Sequence, residues 1–231
     1  MHLLKYALLV LCCCSISFSF AQEEKIKIKS TEQINVSNLI KDIQILKKEQ
    51  DNFKMVWWIP TEYWEVVLNG SNVIPAEDIE PFTNTLDEYI LVGSMHAEMT
   101  QYGDFKPKYI NLQLKDSKGN IYEELKSSEI SAEYHEILSS LKPSMTETLG
   151  ELGRQMKFHV FKKTGKDGKL IAPMNQYGEF TILFNKNNKF NYKLPLGSMV
   201  EEKMCPQDNE LLNGNWRFCP WHGKKLKLQT K

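Results

Sequence analysis

The stretch that most constrains this chain lies at residues 204–226, MCPQDNELLNGNWRFCPWHGKKL. One short pattern occurs there twice, as Cys205-Pro206-Gln207-Asp208-Asn209 and as Cys219-Pro220-Trp221-His222-Gly223. In each copy a thiol is followed by a proline with a fixed φ, then by a residue able to bind metal, then by a residue that tolerates a left-handed backbone. Between the copies, Glu210-Leu211-Leu212 and Asn215-Trp216-Arg217-Phe218 flank Asn213-Gly214. That dipeptide suits a two-residue type I′ turn, so the spacing predicts a hairpin joining two tight knuckles.

The other end of the chain bears on the compartment in which those knuckles work. Lys5 precedes an apolar run over residues 6–20, too short to span a bilayer comfortably, and Ser19-Phe20-Ala21 places small residues where a signal peptidase reads. Residues 1–21 are therefore expected to be a cleaved signal peptide, with the mature chain beginning at Gln22 and secreted or periplasmic. Cys12, Cys13 and Cys14 raise the alternative of a lipoprotein signal, but a lipid-modified cysteine normally follows a small residue, and Leu11 precedes Cys12. Cleavage removes three of the five cysteines and leaves Cys205 and Cys219. No later segment has the apolar length of a transmembrane helix, so the mature chain is expected to lack a membrane anchor. A net charge of zero gives no broad footprint for nucleic acid or an anionic membrane, and the lysine-rich end over residues 224–231 reads as a solvated terminus.

Residues 22–31 are rich in Lys and Glu and suit a tether or an edge strand. Val36, Leu39, Ile40, Ile43, Leu46 and Phe53 recur at helical spacing and predict one amphipathic helix capped by Ser37. Residues 55–59 predict a buried strand, and Pro60-Thr61 the start of a short helix. Trp57, Trp58, Tyr63 and Trp64 suit a seam between helix and sheet or, if exposed, stacking on sugars or apolar groups. A short acidic helix or loop is expected over 75–87. Period-two alternation then puts Tyr89, Leu91, Met95, Ala97 and Met99 on one strand face, with Ile90, Val92, Ser94, His96 and Glu98 on the other. A second strand over 109–115, closed by the turn at 116–119, predicts a meander.

Ile130, Tyr134, Ile137, Leu138 and Leu141 form a helical stripe expected to stop before Pro143, and Ser144-Met145-Thr146-Glu147 has capping-box spacing for a second helix. Gly150 and Gly153 each weaken that helix by up to about 1 kcal/mol relative to alanine and suggest close packing or an early end. Three further strands are expected near 157–163, 179–185 and 190–196. Strands joined by short polar turns and helices grouped in blocks predict an α+β domain with an antiparallel sheet over 22–200, followed by the knuckle pair over 201–231.

The terminal stretch resembles a short zinc ribbon, whose usual pattern is Cys-Pro-x-Cys-Gly twice. The resemblance covers residues 203–226 only; the rest of the chain carries no recognised family pattern. It implies one structural zinc held by Cys205, Asp208, Cys219 and His222, with Trp216 and Phe218 covering the site. Asp208 and His222 stand where the family has cysteines; histidine is a good zinc ligand and aspartate a harder, rarer one in structural sites. The oxidising compartment gives the competing expectation of a Cys205–Cys219 disulfide, which would stabilise a loop of this size by about 3 kcal/mol.

His96 and Glu98 have ligand-capable spacing on a strand, His135 falls off the apolar stripe of its helix, and His159 alternates with Phe158 and Val160 as a sheet histidine would. No nucleophile elbow, zincin helix, phosphate loop or dinucleotide fingerprint occurs. The first expectation is a non-enzymatic binding or assembly protein with a protein or small-ligand partner. The alternatives are a metal-dependent hydrolase using His96 and Glu98, and a thiol redox protein using Cys205 and Cys219, which lacks a Cys-x-x-Cys pair.

Overall fold

The structure, a computed structural model, describes residues 26–69 and 74–229. The expected leader over 1–21 and Gly70 lie outside those residues. The fold is α+β, as expected, but its strands form two main sheets and a small third one.

Helix α1 spans Val36–Ile43 and is capped by Asn35, whose Oδ1 accepts the Asn38 N–H at 3.0 Å. The predicted helix does not continue, and its cap is not Ser37. Gln44–Glu49 is instead strand β1, which turns through Gln50 (φ 54°) into β2, Asn52–Ile59. Leu46 lies 58% exposed on that hairpin, so the helical spacing that included it was coincidental. Helices α2, Thr61–Leu68, and α3, Ala76–Leu86, follow. Next come the long strand β3, Tyr89–Met99, and the short β4, Phe105–Pro107. Strands β5, Leu112–Lys115, and β6, Ile121–Glu123, lead to α4, Ala132–Leu149, and α5, Glu151–Gln155.

Helix α4 runs through Pro143, contrary to the expected break. Proline forfeits its bond to the Ser139 carbonyl, but Ser139 and Ser140 are exposed and solvent can take up that acceptor. The chain breaks at Gly150 instead, where φ is 59°. Strands β7, Lys157–Lys162, β8, Gly178–Phe184, and β9, Asn188–Leu194, complete the large sheets.

In the first sheet β3 is central, pairing β2 along one edge and both β4 and β7 along the other. The second sheet has the order β6-β5-β8-β9, so β5 pairs with β6 and β8 and the expected meander from β3 into the 109–115 strand does not form. The two sheets face each other. Trp58 of β2 meets the rings of Phe180 and Tyr192 at 4.7 and 5.6 Å, and the Tyr192 hydroxyl donates to the Val56 carbonyl at 3.2 Å.

The opposite face of the first sheet receives the helices: Trp57 meets Tyr63 of α2, and Tyr89 meets Tyr134 of α4. With both faces covered, β3 is buried on both, which one-sided alternation did not anticipate. The aromatic cluster thus fills core seams.

The chain then enters a third, three-stranded sheet of order β11-β10-β12, formed by Lys203–Met204 (β10), Leu211–Leu212 (β11) and Lys227–Leu228 (β12). Ile28 bridges to Val200 just before this module begins. Lys203, buried along its whole length, donates to the Trp216 carbonyl at 3.0 Å and to the Tyr177 hydroxyl, and the Arg217 guanidinium lies 4.2 Å from the Tyr177 ring centre. Tyr177 immediately precedes β8, so these contacts seat the module beside the second sheet.

Candidate metal centre

Both knuckles are built by the same backbone bonds. In the first, the Cys205 N–H donates to the Glu210 carbonyl and the Asn209 N–H to the Cys205 carbonyl, both at 2.9 Å. The second repeats this five-residue pattern, from Cys219 N–H to the Lys224 carbonyl at 2.8 Å and from Gly223 N–H to the Cys219 carbonyl at 2.9 Å. Asn209 and Gly223 occupy the equivalent left-handed positions, with φ of 62° and 61°. This is the conformation for which those residue types were singled out.

The first knuckle is itself the turn between β10 and β11, which pair Lys203 with Leu212 and Met204 with Leu211. The hairpin expected at Asn213-Gly214 does not form. Neither residue has the positive φ that a type I′ turn needs, and residues 211–212 pair backward to β10. Gly214 serves close packing instead: a Cβ there would lie 1.9 Å from the Glu201 carbonyl oxygen.

Folding the knuckles together converges their side chains. The ligand atoms of Cys205, Cys219 and His222 all lie within 4.8 Å of one another, a group that can hold a metal ion. His222 Nδ1 is 3.4 Å from Cys205 Sγ, 3.5 Å from Cys219 Sγ and 3.5 Å from Asp208 Oδ2. Three of the four residues singled out in the sequence, Cys205, Cys219 and His222, are thus brought to one point, with Asp208 beside His222 but outside that group. Both cysteines are free thiols and, with Leu212 and Leu226, form the module's small core.

Burial pushes the Cys205 thiol above its ordinary value, and contact with Asp208 and Cys219 adds to this. The backbone N–H groups of Gln207 and Asp208 aimed at the sulfur act in the opposite sense. The N–H of Glu210, with the Cys205 thiol and the nearby His222, holds the Asp208 carboxyl below its ordinary value. Trp216 and Phe218, which the resemblance implied would cover the centre, are 42% and 57% exposed.

The remaining histidines among the described residues have other partners. His96 Nδ1 lies 3.0 Å from the Tyr109 carbonyl, while Glu98 pairs with Lys108 at 2.8 Å. His135, half-buried on α4, bonds the Ser127 carbonyl at 2.8 Å.

His159 belongs to an arrangement that the sequence reading missed. Its Nε2 lies 2.8 Å from Ser94 Oγ on β3 and its Nδ1 lies 2.8 Å from Glu124 Oε2 just after β6. The carboxylate accepts the Nδ1 proton, which leaves Nε2 to accept from the serine hydroxyl. This is the bonding order of a nucleophile relay. However, Ser94 is 0% exposed between the sheets, where no substrate reaches it in this conformation. The relay ties the first sheet to the second, beside the Leu125 N–H to Val160 carbonyl bond at 2.8 Å. The alternation around His159 marked a sheet position, but its partners lie 65 and 35 residues away and leave no local pattern.

A further polar group, Glu62, lines a small cavity with Trp58, Asp87, Tyr89 and Lys163, and burial raises its carboxyl above its ordinary value. No protein-family model matches the chain, and no match is found among curated proteins or solved structures. No helix among the described residues is long and apolar enough to cross a membrane.

Proposed function

We propose that this chain is an exported, non-enzymatic binding or assembly protein whose C-terminal module is closed by one zinc ion held by Cys205, Asp208, Cys219 and His222. The observation that carries the metal assignment is the set of distances around His222 Nδ1. Zinc bonds of about 2.3 Å to sulfur and about 2.0–2.1 Å to nitrogen, opened to the tetrahedral angle, put sulfur and nitrogen about 3.5 Å apart. The two sulfur–nitrogen distances are 3.4 and 3.5 Å.

A disulfide would draw the sulfurs to about 2.05 Å and give His222 and Asp208 no reason to converge on them. Two thiolates and an imidazole suit zinc, and the carboxylate completes a closed, structural coordination shell. Zinc's contribution here is to lock the two knuckles and the strands that carry them. Export is supported by the leader pattern over residues 1–21.

Zinc titration of the purified protein and its ligand variants tests the assignment. Cys205→Ser, Cys219→Ser and His222→Ala are expected to abolish tight binding, and Asp208→Asn, which leaves an amide oxygen at the hardest and weakest of the four ligand positions, to weaken it without abolishing it. Equal zinc binding by the native chain and a variant lacking all four side chains would overturn it.

A further inference from the structure

We propose that the terminal module carries a docking surface for anionic lipid membranes, formed by Trp216, Phe218 and Trp221 with Lys224, Lys225 and Lys227. Trp216, Phe218 and Trp221 are 42%, 57% and 71% exposed, and Leu211 beside them in sequence is 47% exposed. The module core uses only Cys205, Leu212, Cys219 and Leu226, so its largest apolar side chains are the ones left outside. Three aromatics exposed within residues 216–221 are apolar surface that the module's own core does not use.

Charge selects the partner. Residues 211–231 contain Arg217, Lys224, Lys225, Lys227 and Lys231 and not one Asp or Glu, the module's acidic residues Glu201, Glu202, Asp208 and Glu210 all preceding them. Lys224, Lys225 and Lys227 are exposed, whereas Arg217 is engaged on Tyr177. The Phe218–Lys225 bridge sets the aromatic and lysine segments side by side, and Trp221 sits in the second knuckle between Cys219 and His222.

Tryptophan rings favour the level of lipid headgroups, and lysines at that level are drawn to an anionic leaflet. A stable protein interface needs about 800 Å² from each side. A few side chains projecting from tight turns suit a shallow wedge into lipid better. The knuckle bonds hold the wedge in place, so little ordering is needed on binding.

Co-sedimentation with vesicles tests this, using the chain without residues 1–21. Binding is expected to vesicles of equal parts phosphatidylcholine and phosphatidylglycerol, and not to phosphatidylcholine alone. It should weaken about fivefold for each of Lys224→Gln and Lys225→Gln, and disappear in the Phe218→Ser/Trp221→Ser double variant. That variant keeps every proposed ligand, and metal content measured on the same samples separates a failed metal site from a failed membrane surface. Absence of binding to the mixed vesicles, or binding indifferent to the double substitution, would overturn the proposal. So would equally strong binding to soluble polyglutamate, which would indicate an acidic protein partner.

Discussion

Ser94 is a residue whose role depends entirely on what the fold brings to it. Its hydroxyl lies on the face of β3 that meets the second sheet and donates to Nε2 of a buried histidine, which in turn holds Glu124. Ser94→Ala leaves that nitrogen buried and unpaired, and is expected to cost about 1–3 kcal/mol in denaturant unfolding with the secondary structure retained. A loss too small to measure would mean that solvent reaches His159 and that the relay does not tie the sheets together. The four knuckle side chains contrast with this. The convergence of Cys205, Cys219 and His222 was legible because each knuckle is a single turn whose backbone the neighbouring Asn209 and Gly223 specify. The Ser94 relay draws on three separate strands and loops, and only tertiary pairing assembles it.

Among the elements, readings failed where a local signal served a different purpose. The helical spacing through Leu46 and Phe53 gave way to a hairpin because residues 44–49 pair along the whole length of residues 52–57. Pro143 lies within α4, on an exposed stretch where its missing bond costs little. Gly214 reads as a hairpin glycine but is needed for its missing side chain. A methyl group 1.9 Å from the Glu201 carbonyl oxygen would force backbone apart, since that neighbour is not the flexible end of a side chain. Gly214→Ala is therefore expected to destabilise the module by about 1–3 kcal/mol, seen as faster amide exchange at Leu212 and Met204 with the large sheets unaffected. Unchanged exchange at those amides would show that the approach of residue 214 to residue 201 is dispensable.

For the whole molecule, composition and the grouping of strands and helices sufficed for the α+β class. The division into two facing sheets was not legible, because β3 and β5, separated only by the short β4, read as meander strands yet pair in different sheets. The aromatic residues beside β2 turned out to be the material of the seams, Trp58 between the sheets and Trp57 under the helices. The knuckle module sits apart from that core, with four buried apolar residues of its own and an exposed aromatic rim. So small a core gives the module little stability of its own and makes a covalent or metal closure the natural complement. The most direct test of that closure is the intact mass of the chain without residues 1–21, taken under native and then denaturing conditions. One zinc ion per chain is expected in the native spectrum and, once the metal is released, the full mass of a chain with both thiols reduced. A chain without metal and lighter by two hydrogens, its Cys205 and Cys219 joined as a disulfide, would contradict it.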